Sequence, residues 1–132
     1  MQNREMGRMP FEVSDIYNGA PLGMVLFGPR GEYLRVNARL AEFNGTSVEA
    51  HTGKTIADII PDIAPRVQAL IDEVMATAQP IRRALFEWER AGEHRTYAVD
   101  WYPVFDGDGH VRAVGAIADD VTEAQAREQM IV

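Results

Sequence analysis

The sequence predicts an α+β fold: a five-stranded antiparallel sheet with helices inserted between strands 2 and 3, plus a short N-terminal helix. Three observations predict it. Five segments carry strand signals, a run of helical patterning separates the first two from the last three, and turn residues fall between them.

Residues 1–9 are polar, Met-rich and without a period, so a flexible N-terminal arm is expected there. From Pro10, suited to a first helical position, Val13, Ile16, Tyr17 and Ala20 fall at helical spacing, closed by Asn18-Gly19 and Pro21. That predicts a short amphipathic helix whose apolar face needs a cover, either its own sheet or the same helix of a second chain. Met24-Val25-Leu26-Phe27 reads as an apolar strand, Gly28-Pro29-Arg30-Gly31 as a turn, and Glu32-Tyr33-Leu34-Arg35-Val36 as a half-buried strand pairing with the first. Asn37 stands where its side chain caps a short helix, Ala38 to Phe43, stopped by Asn44-Gly45. Short helical pieces follow, punctuated by Thr46 with Glu49 and then Gly53, and by Thr55 with Asp58 and then Pro61.

The longest helix is predicted over Ile63 to Gln79, with Pro65 near its start and Ile63, Val67, Leu70, Ile71, Val74 and Ala78 on one core-facing stripe. Pro80 ends it. Strands Ile81 to Arg90, His94 to Phe105 and His110 to Asp119 follow, separated by Ala91-Gly92-Glu93 and Asp106-Gly107-Asp108-Gly109. Helices placed between the second and third strands must lie across one face of the sheet. After the last strand, Asp119 and Asp120 lead into a helix start at Val121-Thr122, where Thr122 and Gln125 have capping-box spacing.

Composition bounds the function. At 132 residues, 46% hydrophobic and 25% charged, the chain suits one globular domain with a sizeable core. A formal charge of -7, with 13 scattered basic residues, argues against nucleic acid as a partner. The absence of cysteine excludes a disulfide scaffold, thiol catalysis and cysteine metal sites. No apolar run approaches the ~18 residues of a membrane span, so no membrane partner and a cytoplasmic location are expected.

The element order, together with Ala20-Pro21-Leu22-Gly23, Gly31-Glu32-Tyr33-Leu34-Arg35-Val36-Asn37, Gly53-Lys54-Thr55, Tyr102-Pro103-Val104 through Asp108-Gly109, and Asp120-Val121-Thr122-Glu123, resembles the PAS sensor-domain family. The resemblance implies a sheet and helical flank enclosing a small cavity, used to sense a small-molecule ligand or to mediate association. It also implies that Asp120 and Thr122 are the signal junction between the core and an output helix. The domain layout is then a flexible arm at 1–9, a PAS-like sensory domain at 10–125, and the start of a C-terminal output helix at 126–132. Such domains often associate through the N-terminal helix and the outer sheet face, so a homodimer is expected. The chain shows no kinase, cyclase or DNA-binding motif, which puts the output domain outside it.

Cofactor chemistry is partly decided by residue types. A flavin photoadduct and a chromophore thioester both need a cysteine, and there is none. Haem in this family commonly takes a histidine on the longest helix, which has none; His51, His94 and His110 lie in a helix-loop segment and near strand or turn ends, where solvated or locally bonded roles are expected. The ligand identity stays open. Cavity candidates by alternation are Phe86, Trp88, Tyr97, Val99 and Trp101 on the sheet, with Phe43, Ile59, Val67 and Leu70 on the helical flank. The same residues serve equally to fill a core.

Asp100 is anomalous on the opposite strand face and needs water or an arginine, from its own chain or a second one. Asp106 and Asp108 hint at calcium, but the distal bidentate acid of a full loop is missing. Two other classes fit the length: a cone-shaped α+β enzyme similar to the ketosteroid isomerase type, and a ligand-free dimerisation module. The first places long helices before its sheet and needs a cluster of titratable residues, neither of which is present in the sequence. The second shares every feature of the sensor.

Overall fold

The computed structural model describes residues 19–90 and 92–131. The arm expected at 1–9, and the predicted N-terminal helix up to residue 18, lie outside the described residues. The described chain runs β1 (Gly23–Phe27), β2 (Tyr33–Val36), α1 (Ala38–Asn44), a 3-10 turn (Glu49–His51), α2 (Ile56–Ile59), α3 (Ala64–Thr77), β3 (Ile81–Arg90), β4 (Glu93–Phe105), β5 (Val111–Asp120) and α4 (Thr122–Ile131). The five strands form one antiparallel sheet in the order β2-β1-β5-β4-β3, so β5 is central and the helical run crosses from one edge to the other. Among the described residues no helix is long and apolar enough to cross a membrane.

Local chemistry sets the boundaries. Asn37 caps α1 by accepting from Leu40 N, and Gly45 closes it in the left-handed conformation (φ 79°), which a residue without Cβ adopts freely. Thr55 and Asp58 form the predicted capping box on α2. The Thr46 and Glu49 pair forms no such box: Ser47 Oγ accepts from Ala50 N instead, and the segment winds only a 3-10 turn. Pro65 sits in the first turn of α3, where its missing N–H has no partner to lose.

Val67, Ile71 and Val74 of α3 pack against the inner face of β4 and β5, and burying each contributes about 1.5–3 kcal/mol. On the outer face Tyr102 lies flat against Gly115 of the neighbouring strand; a Cβ there would fall 2.2 Å from Tyr102 Cζ. The ring takes the space a side chain at 115 would fill. In β3, Arg83 has a positive φ of 54° within a register shift, and Asp100 Oδ1 accepts from Arg83 N at 2.7 Å. The anomalous Asp100 thus bonds to a backbone amide of the bulge, not to an arginine side chain.

Candidate ligand cavity and exit junction

Alternation along the strands turns Val25 and Phe27 of β1, Tyr33 of β2, Phe86 and Trp88 of β3, and Tyr97, Val99 and Trp101 of β4 to the helical side. Leu40, Phe43 and Asn44 of α1, Ile56 and Ile60 around α2, and Val67 of α3 face them. These groups do not close completely and leave a cavity of about 60 Å³. Of the residues expected there, Phe43, Val67, Phe86, Trp88, Tyr97, Val99 and Trp101 stand in its wall. Ile59 and Leu70 do not; both are half-buried and pack at the margin of the core. At 3.6 residues per turn Leu70 lies about 60° around α3 from Val67, so it falls beside the inward line that Ile71 and Val74 continue.

Among the described residues the wall is apolar, with seven aromatic side chains set among aliphatic ones. Trp88 stacks on Tyr97 with centroids 4.4 Å apart, Phe43 tilts against Tyr97 at 4.8 Å, and Trp101 stacks on Phe27 at 6.0 Å. The exposed Arg66 places its guanidinium 4.1 Å from the centroid of Phe86. Among the described residues, no Asp, Glu, His, Lys or Arg lines the cavity. Its polar side chains are Tyr33, Asn44, Trp88, Tyr97 and Trp101; Trp101 Nε1 is buried without a hydrogen-bond partner, and the Tyr33 hydroxyl lies beside the Asn44 side chain. Burial pushes the Tyr33 phenol well above its ordinary range, with the nearby Asn44 side chain opposing the shift.

Sequence reasoning missed Tyr33 and Asn44. Strand alternation and the pairing of Tyr33 with Phe27 could have found the first. Behind them His51 is only 2% exposed, with its ring edge-on to Tyr33 at 4.8 Å. Its Nδ1 donates to the Ser47 carbonyl at 2.8 Å, so Nε2 is left to accept from Asn44 Nδ2 at 3.0 Å. This histidine is locally bonded as expected, though buried. His94 and His110 are exposed beside Glu87 and Asp106.

At the far end of the sheet the chain leaves the core. Val121 N donates to Thr96 O at 2.9 Å, continuing the β4–β5 ladder one residue beyond Asp120, and Thr96 N then donates to Thr122 Oγ1 at 2.9 Å. The expected Thr122–Gln125 capping box is therefore absent, because the hydroxyl stands in for the next ladder carbonyl. Asp120 holds the helix start instead: its Oδ1 accepts from Thr122 N at 3.0 Å and from Thr122 Oγ1 at 2.6 Å. Arg95 reaches Asp120 Oδ2 at 3.4 Å and Glu93 at 2.8 Å.

A third polar cluster lies in the β4–β5 turn, where Asp106, Asp108 and His110 bring ligand atoms within 4.8 Å of one another. Asp106 is already engaged: Oδ1 accepts from Asp108 N and His110 N, and Oδ2 pairs with Arg112. The Arg112 hydrogen bond, with that from His110 N, holds its carboxyl below the usual range.

A family model described as the PAS fold matches residues 17–126. The chain belongs to this family. The PAS domain is similar in fold to the Vibrio cholerae VqmA–ligand–DNA complex, with a TM-score of 0.79 and 16% identity over 88% of this chain and 53% of that one. It is similar also to the PAS domain of Bordetella pertussis BvgS (TM-score 0.70, 20% identity, 98% of this chain and 95% of that one). A sensory box sensor histidine kinase from Vibrio cholerae matches with a TM-score of 0.59 and 18% identity, over 92% of this chain and 99% of that one. The chain spans little more than half the length of the VqmA chains it matches. No curated protein matches it.

Proposed function

We propose that this PAS domain is a sensory module that binds a small molecule in the cavity and passes its bound state to the C-terminal segment through Asp120 and Thr122. One observation carries the reading: the cavity wall and the exit junction share adjacent residues of β4. Tyr97 lines the cavity and pairs with Asp120, while Thr96, its neighbour, holds Val121 and Thr122 by its backbone. A ligand that fits one position of Tyr97 better than another biases how firmly the exit helix is docked, by its differential affinity alone.

Among the described residues the wall carries no carboxylate, imidazole or amine, which supports binding rather than catalysis, since acid–base chemistry needs positioned titratable partners. The structures described for VqmA include one bound to DPO, a dimer and a complex with DNA. For this domain the acidic balance and scattered basic residues favour small-molecule binding without nucleic acid, in the cytoplasm, with the output carried by another segment or chain. Association through the outer sheet and N-terminal helix is part of the same reading. Exposed Leu85 and Tyr102 on the outer sheet support it.

Native mass spectrometry of the protein purified from cells, repeated after denaturation, tests this. A small molecule present in the native spectrum and released on denaturation is expected. A bare dimer that also leaves added small ligands unbound would favour the association module instead.

A further inference from the structure

We infer that the cavity takes an amphipathic anion, with an apolar or aromatic body inside the wall and a carboxylate left at the rim on the guanidinium of Arg66. The inference rests on the ligand-binding reading above and deepens it by naming the chemical class. The place of the rim comes first. The cavity is open on one side, and most of its lining residues are buried; the half-exposed ones, Asn44, Ile60, Ile63 and Trp88, mark where the wall reaches the surface. Ile63 is the N-cap residue of α3, and Trp88 belongs to β3, an edge strand. Arg66 stands about one helical turn on from Ile63. Its guanidinium covers the ring of Phe86, the inward neighbour of Trp88 on β3. Both ends of the Arg66 side chain therefore sit beside residues of the opening.

Charge comes next. Among the described residues nothing ionised lines the interior, so a charged group carried inside would lose its hydration and gain no partner. An apolar or aromatic body meets no such penalty against Trp88, Tyr97 and Phe86. Any charge on the ligand must stay at the opening.

The sign of that charge is decided by the arginines. Among the described residues two of them rest on wall rings: Arg66 at 4.1 Å from the centroid of Phe86, and Arg39 at 5.9 Å from that of Phe43. Arg39 is already answered, with Glu42 at 3.7 Å and its Nε donating to Pro21 O. Arg66 has no acidic partner among the described residues, although acids outnumber bases 20 to 13 in the chain. A guanidinium stacked on a ring keeps its N–H edge free, and that planar fork matches the two oxygens of a carboxylate.

The test uses the full chain, isotope-labelled and titrated at neutral pH with benzoate, benzamide and benzamidinium, which share one shape and differ in charge. Benzoate is expected to bind about five-fold more tightly than benzamide, the gain of one solvent-exposed ion contact, and benzamidinium more weakly than either. Benzoate should move the Arg66 Nε–H signal together with the ring signals of Phe86 and Trp88. In Arg66→Gln the advantage of benzoate over benzamide should disappear; in Arg66→Lys, which keeps the charge without the fork, part of it should remain. Added salt should shrink it in the native chain, and that comparison decides the matter even where a variant folds poorly. Benzamide binding as tightly as benzoate, or an advantage that survives Arg66→Gln, overturns the anionic class and leaves the ligand cavity standing. If none of the three perturbs a wall resonance, this inference is overturned, and the ligand-binding reading falls with it only where the native mass spectra also show a bare chain.

Discussion

Asn37 shows how much a single amide can organise. It is fully buried, and its Oδ1 accepts from Leu40 N at the start of α1 and from Met24 N in β1, while Nδ2 donates to Leu22 O. Asn37→Ala removes a helix cap and leaves buried backbone groups unpaired, so it should cost roughly 2–4 kcal/mol, read as a lowered denaturation midpoint with an unchanged slope. Only half of that role was legible beforehand. The cap is written in the residues next to it, whereas its partners Met24 in β1 and Leu22 just before it lie 13 and 15 positions away and become visible only when the strand folds back. Thr122 carries the same lesson with the opposite outcome. Its local spacing to Gln125 reads as a capping box, but the strand pairing of β5 delivers the hydroxyl to an unpaired amide of Thr96, and the long-range partner wins.

The β4–β5 hairpin is the element whose stability should follow pH most simply. Asp106 links the turn amides of Asp108 and His110 to Arg112 on the returning strand, and the Arg112 hydrogen bond lowers its pKa in the folded state. A depressed carboxylate contributes stability fully above its unfolded value, near 3.9, and that contribution is lost as pH falls through the folded value. Hydrogen exchange at Asp108 and His110 should therefore accelerate on acidification through and below the ordinary carboxylate range, beyond the intrinsic trend. In Asp106→Asn that extra acid dependence should vanish; its persistence would show that another group titrates. Strand and turn positions of this kind were legible, because alternation and the Asp-Gly-Asp-Gly run are local signals. The wall composition was less so. The inward line of α3 depends on how the helix is rotated on the sheet, which moved Leu70 to the margin. Tyr33 and Asn44 entered through the pairing of β2 with β1 and the docking of α1.

At the scale of the whole molecule, cavity and exit helix meet on one strand, so occupancy of the first and docking of the second should be thermodynamically coupled. Removing both polar anchors, Asp120→Ala with Thr122→Ala, deletes the side-chain contacts of the junction but keeps the Val121 N to Thr96 O bond that ends the ladder. The core should stay folded at a cost of about 1–3 kcal/mol, while hydrogen exchange across residues 121–130 rises. Coupling between sites is reciprocal: if a cavity ligand changes exit-helix protection in the native chain, loosening the helix must change ligand affinity by the same factor, commonly about 5–150-fold. The double variant is therefore expected both to lose the ligand-dependent change in exchange and to show an altered Kd. Exchange in residues 121–130 unaffected by the substitutions would mean that Asp120 and Thr122 do not hold the helix. Loosened exchange with an unchanged Kd would mean that they hold it without transmitting anything from the cavity.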